Sequence, residues 1–145
     1  MSIQIIEKPF NLTIHGYSGV ALNKDYTGTV FQLMDRMWKA VKQNNIKNKG
    51  LNIWVYEQSE KVFAGIELEN QSESKFDLEQ KNITLSKYAY YKHVGPYQLI
   101  RTSGEKMREE LGKKGLTVIF PYIEIYGHWD ADESKLETEL LMSIK

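Results

Sequence analysis

One pattern constrains this 145-residue chain more than any other: an extended segment ending in glycine, a helical segment and two further extended segments, written twice. In the first copy residues 12–19 close on His15-Gly16-Tyr17-Ser18-Gly19. A helix is predicted at about 26–45, because Val30, Met34, Met37, Trp38 and Val41 recur at the spacing of one helix face. Asn23-Lys24-Asp25 suits its start and Asn44-Asn45 its exit. Two strands follow, 51–57 and 61–69, joined by a short turn at Gln58-Ser59-Glu60.

The second copy opens with an extended segment at 83–95 that ends Tyr91-Lys92-His93-Val94-Gly95. Its helix is predicted at about 96–113 on the stripe Ile100, Gly104, Met107 and Leu111, with Pro96 in the first turn and Gly112 and Gly115 at the end. Gly104 costs that helix about 1 kcal/mol relative to alanine, so the backbone is expected to be approached closely there by a strand or a ligand. Strands at 121–127 and 136–144 complete the copy around a longer loop at Asp130-Ala131-Asp132-Glu133. Residues 70–81 have a linker's composition, which places repeat 1 at about 1–69 and repeat 2 at about 82–145. Mixed in this way, the elements predict a single α+β domain over 1–145: a duplicated β-α-β-β unit whose antiparallel sheet carries two helices packed on one face.

Composition narrows the function classes. Nineteen basic residues balance nineteen acidic ones, so the chain lacks the basic excess that grips phosphate backbones, and direct nucleic-acid binding is disfavoured. With no cysteine there is neither a disulfide frame nor a thiolate metal site. His15, His93 and His128 fall at no ligand spacing and are expected at surfaces or turns. No cofactor or metal is therefore expected. Ser18 and Ser103 lack a nucleophile-elbow context, and the glycines at 16 and 19 lack the Lys-Ser/Thr ending of a phosphate loop. No apolar run is long enough for a membrane span, and a cytoplasmic location is the default.

The first strand after each helix holds the candidate site. Alternation puts Ile53 and Val55 on one face and Asn52, Trp54 and Tyr56 on the other; likewise Ile123 and Ile125 oppose Tyr122, Glu124, Tyr126 and His128. A carboxylate between two isoleucines is a misfit in a packing strand. Among aromatic rings it suits an organic cation, through Coulomb attraction and cation–π contact. Lacking a cation, the desolvated Glu124 is equally a candidate general acid or base. A plain alternative stands beside both: antiparallel sheets often have one wet face, and aromatic pairs often serve cross-strand packing.

The turn His93-Val94-Gly95-Pro96-Tyr97, the strand Ile123-Glu124-Ile125-Tyr126 and the closing Thr138-Glu139-Leu140 together resemble the GyrI-like family. That family includes effector-binding domains of AraC-type and MerR-type regulators, the gyrase inhibitory protein and free-standing members. The likeness is clearest over 88–144 and is carried through 12–69 by the duplicated pattern and Trp54-Val55-Tyr56. It implies two units packed about a pseudo-twofold axis with a ligand cleft between them, Glu124 at the cleft centre and Tyr126 as its aromatic neighbour. Trp54, Tyr56 and Tyr122 extend the site by the repeat. The sequence departs from the family where Gly127-His128-Trp129-Asp130 replaces a short proline-containing turn, which leaves Trp129 either as a lid or as the cover of an apolar edge.

Three functions follow as expectations. The first is binding of amphipathic, cationic or aromatic small molecules, for sensing or sequestration, in an acidic, aromatic cleft lined by Glu124, Tyr126, Trp54, Tyr56, Trp129 and Tyr122. The second, implied by the resemblance, is hydrolysis of electrophilic natural products by Glu124 with Tyr126 as its hydrogen-bond partner. Glu67 and Glu139, at matched positions in the last strand of each copy, are candidates for a second acid or for edge-strand charges. The third is inhibition of a protein partner of the gyrase type.

Overall fold

The computed structural model describes residues 1–70 and 77–145. In chain order the elements are β1 (Gln4–Ile6), β2 (Phe10–Val20), α1 (Tyr26–Gln43), β3 (Ile53–Tyr56), β4 (Lys61–Ile66), β5 (Glu79–Leu85), β6 (Tyr88–Val94), α2 (Ile100–Lys113), β7 (Val118–Tyr126) and β8 (Glu137–Ile144).

Local chemistry sets the boundaries. Asp25 caps α1 by accepting from the Gly28 amide at 3.1 Å, and the chain leaves that helix through Asn45 in the left-handed region, which asparagine tolerates. A 3₁₀ turn, Tyr97–Leu99, follows Pro96 into α2, and Gly115 at φ 73° ends it. The 58–60 turn is a two-residue loop with positive φ at both Ser59 and Glu60, the handedness that suits a twisted hairpin.

The strands form one antiparallel sheet in the order β1-β6-β8-β7-β3-β4-β2-β5. Its centre is the pair β3–β7, and each half of the order mirrors the other, as duplication requires. Two expectations are corrected here. The extended segment 83–95 is two strands, parted at Ser86-Lys87: β5 pairs with β2, whereas β6 pairs with β8. That break carries no Gly, Pro, Asn or Asp; its one trace in the sequence is a change of phase, the inward positions running 83 and 85 and then 88 and 90. Of the expected linker 70–81, Glu79 to Lys81 belong to β5 and Leu78 is buried against the α1 side, while 71–76 lie outside the described residues. The three-residue β1, which precedes β2 in sequence, pairs with β6 in the other half.

This order forces the sheet to curl. Strands β6 and β5 stand second and eighth, a separation of about 29 Å in a flat sheet at roughly 4.8 Å per strand, yet their two-residue connection reaches only about 10 Å. Curling folds the helix-free face onto itself, and Ile14, Ile53, Val55, Phe63, Leu85, Tyr88, Ile123 and Leu141 meet there in one core. Phe10 and Tyr88, from opposite ends of the sheet order, bring their ring centres to 5.8 Å. On the other face α1 buries Val30, Leu33, Met37 and Val41 against β2 and β4, and α2 buries Ile100, Met107 and Leu111 against Ala89, Leu140 and Met142. Among the described residues no helix is long and apolar enough to cross a membrane.

Two histidines are not where the sequence suggested. His15 is fully buried in β2, and among the described residues neither ring nitrogen has a hydrogen-bond partner of good geometry. By alternation His15 shares a face with Tyr17, which packs in the cluster under α1, so the ring points into the layer between sheet and helix rather than to solvent. His93 is buried as well: its Nε2 lies 3.0 Å from the Pro96 carbonyl and its Nδ1 2.8 Å from Ser103 Oγ. A carbonyl only accepts, so Nε2 carries the proton and Nδ1 receives the serine hydroxyl. This pins the 93–97 turn to α2 and accounts for both residues without catalysis.

Candidate functional site

The central pair β3–β7 sets Trp54 opposite Glu124, Tyr56 opposite Tyr122 and Val55 opposite Ile123. Ile53, Val55 and Ile123 enter the curled core, so the intervening residues face the helices. Because α1 packs on one half and α2 on the other, the middle of this face stays uncovered. The result is a cleft of about 1070 Å³, large for a small-molecule site and wide enough for a polycyclic ligand.

Glu124 lies on its floor with 7% of its surface exposed. Three tyrosine hydroxyls donate to it: Tyr126 at 2.6 Å and Tyr56 at 3.1 Å to Oε1, and Tyr122 at 2.7 Å to Oε2. These bonds replace the water a carboxylate loses on burial. Burial, and after it the charge of Glu124, pushes the phenols of Tyr56, Tyr122 and Tyr126 well above the ordinary tyrosine range. They therefore stay protonated as donors.

The rings line the cleft in two groups that meet at Glu124. Trp54 meets Phe31 edge-on at 5.2 Å and Tyr126 at 4.8 Å; Tyr126 meets Tyr97 at 5.6 Å; Tyr56 stacks on Tyr122 at 5.5 Å and meets Tyr26 at 6.0 Å. Among the described residues the Trp54 indole nitrogen has no hydrogen-bond partner. The Trp38 indole, in contrast, donates to Asn52 at 2.7 Å and ties α1 to the start of β3.

The structure thus gathers Glu124, Tyr126, Trp54, Tyr56 and Tyr122 at one place, and Trp129 stands at the mouth, 76% exposed. With that exposure Trp129 covers no apolar edge. Glu67 and Glu139 are elsewhere. Both sit on the opposite face of the sheet by alternation; Glu67 pairs with Lys49 at 3.2 Å, and Glu139 accepts from the Tyr90 hydroxyl at 2.5 Å. Neither offers a second acid to Glu124. The cleft is also less acidic than expected, since Lys24, Arg101 and Arg108 line it together with Asp25, Glu105 and Glu124. The negative charge is local to the floor rather than a property of the whole cleft.

Sequence reasoning missed Phe31, Tyr26, Tyr97 and Arg108. Phe31 left a signal: it is a large apolar residue off the α1 stripe, 47% exposed, and turned to the cleft. Arg108 left none, because the direction of a long side chain is not written in helical spacing. Among the described residues no cluster of His, Asp or Glu could hold a metal ion.

No protein-family model and no curated protein sequence matches the chain. Solved structures do. The structure of SAV2435 bound to tetraphenylphosphonium aligns with TM-score 0.64 at 19% identity, covering 100% of this chain and 94% of that one. The EcmrR C-terminal domain aligns with TM-score 0.66 at 14% identity, covering 100% and 99%. A hydrolase from Listeria innocua aligns with TM-score 0.58 at 12% identity, covering 99% and 91%. At such identities the likeness speaks for architecture alone, and the architecture of this chain is the GyrI-like fold.

Proposed function

We propose that the protein binds amphipathic organic cations with aromatic surface in the cleft between α1 and α2. One observation carries this reading: a buried carboxylate, held by three tyrosine hydroxyls, under a wall of aromatic rings. Each hydroxyl spends its proton on Glu124, so the phenolic oxygens turn lone pairs toward the cleft and the carboxylate's charge is felt through them. A bulky cation without N–H groups needs no direct ion pair here; ring faces and phenolic oxygens solvate it, and the low dielectric strengthens the attraction. The likeness to a protein solved with tetraphenylphosphonium supports the same class of ligand.

Tetraphenylphosphonium and tetraphenylborate share a shape and differ in the sign of their charge, so together they test the idea directly. Trp54 reports binding by fluorescence. The phosphonium is expected to bind and the borate not, and Glu124→Gln to weaken the phosphonium roughly tenfold or more. Equal binding of both ions, with Glu124→Gln indifferent, would falsify the reading. Time-dependent loss of an electrophilic substrate, abolished by Glu124→Gln, would instead favour hydrolysis, for which the 2.6 Å Glu124–Tyr126 bond is the available acid–base pair.

A further inference from the structure

Gly104 and Arg108 belong together. Among the described residues no strand backbone lies within 4 Å of a methyl group built at Gly104, which would sit 3.7 Å from Arg108 Nη1 and 3.8 Å from Met142 Cε of β8, ordinary contact distances. The expected close backbone approach is therefore not made, and what covers the bare site is the Arg108 guanidinium together with the Met142 methyl group. Helical side chains lean toward the helix N-terminus, so a residue covers the turn before its own. Arg108 does this across Gly104 and reaches into the cleft, where its Cζ lies 5.5 Å from the centre of the Tyr122 ring.

Tyr122 donates to Glu124 at 2.7 Å, so the floor reads guanidinium, ring, carboxylate, with the ring keeping the two charges apart. Arg108 has no carboxylate within 4.0 Å among the described residues, whereas Arg101 on the same helix is paired with Glu105 at 3.4 Å. A guanidinium beside a cation site repels a simple cation. With its planar fork unoccupied, it also offers two parallel donors that match a carboxylate or another oxyanion.

We propose that Arg108 is an anion subsite, and that the cleft's preferred ligands are amphoteric aromatic molecules, with the cationic centre over Glu124 and its tyrosines and an oxyanion turned toward α2. The proposal rests on the cation-binding reading and names the ligand class within it.

Rhodamine B and its ethyl ester test this, because they share one aromatic cation and differ by a single carboxylate. In fluorescence-anisotropy titrations rhodamine B is expected to bind the native protein several-fold more tightly than the ester. Arg108→Gln is expected to weaken rhodamine B about tenfold, the scale of one charged hydrogen-bonded contact, and to tighten the ester because a like charge has left. Arg108→Lys should recover part of the preference, and Lys39→Gln, on the exposed side of α1, controls for net charge. If the ester binds and depends on Glu124 while Arg108→Gln shifts both dyes alike, the subsite is overturned and cation binding stands. If neither dye binds in a Glu124-dependent way, both readings fall.

Discussion

Glu124 keeps its place between Ile123 and Ile125 because alternation sends those neighbours through the sheet and leaves the carboxylate to three phenols. The arrangement has a pH signature. In Tyr56, Tyr122 and Tyr126 burial and then the charge of Glu124 raise the folded-state pKa, while the unfolded phenols ionise near pH 10. Their stability is complete below about pH 10 and is lost as pH rises, by roughly 1.4 kcal/mol per pH unit for each tyrosine. Urea midpoints measured from pH 8 to 11 should fall steeply above pH 10, and Tyr122→Phe should make the fall shallower; phenolate absorbance rising while the protein stays folded would contradict this. His15 behaves in the opposite sense, since burial lowers its pKa, with the facing Gln80 opposing in part. Its contribution is present above about pH 6.5 and fades as pH falls, so His15→Leu should flatten the stability profile between about pH 6.5 and 5. At this scale the floor of the site was legible in the sequence, because strand alternation assigns Trp54, Tyr56, Tyr122, Glu124 and Tyr126 to one face. The walls were not: Arg108 and Tyr97 arrive from α2 and the turn before it, by tertiary packing.

Both helices were legible as elements, since a stripe at helical spacing with a capping Asp or a leading Pro admits few other structures. The stripes also foretold the buried faces, with Leu33 and Ser103 added and Met34 and Trp38 only partly buried. Leu111→Ala and Met37→Ala, both at fully buried positions, should each cost about 2–5 kcal/mol. Gly104→Ala should do the reverse: the methyl group fits, so α2 gains up to about 1 kcal/mol and the thermal midpoint rises by roughly 3–5 °C. A lowered midpoint would mean that Arg108 cannot adjust. The strands were read less well. The period of two does not carry across Ser86-Lys87: Leu85 and Tyr88 stand three apart yet are buried in the same core, so the alternation changes phase at the break between β5 and β6, and the pairing partner changes with it.

Across the whole molecule the duplicated pattern gave the two units, and the family resemblance implied the cleft between them, but neither foretold the exchange at the margins. Strand β1 opens the first half of the chain and completes the sheet of the second; β5 opens the second half and completes the sheet of the first. Removing residues 1–9 should therefore weaken the α2 half, where the edge of β6 loses its partner, more than the half to which those residues belong by sequence. Hydrogen exchange resolved by residue would show this as faster exchange in β6 and β8, with β2 and β4 little changed. The exchanged strands also bear on ancestry. Two copies of a half-length chain, each lending its leading strand to the other, would close the same eight-stranded sheet as an intertwined homodimer, with the cleft on the symmetry axis. A single chain, unlike such a dimer, leaves its two halves free to differ, and the pocket is asymmetric: one half supplies the acid, Glu124, where its counterpart supplies the indole of Trp54.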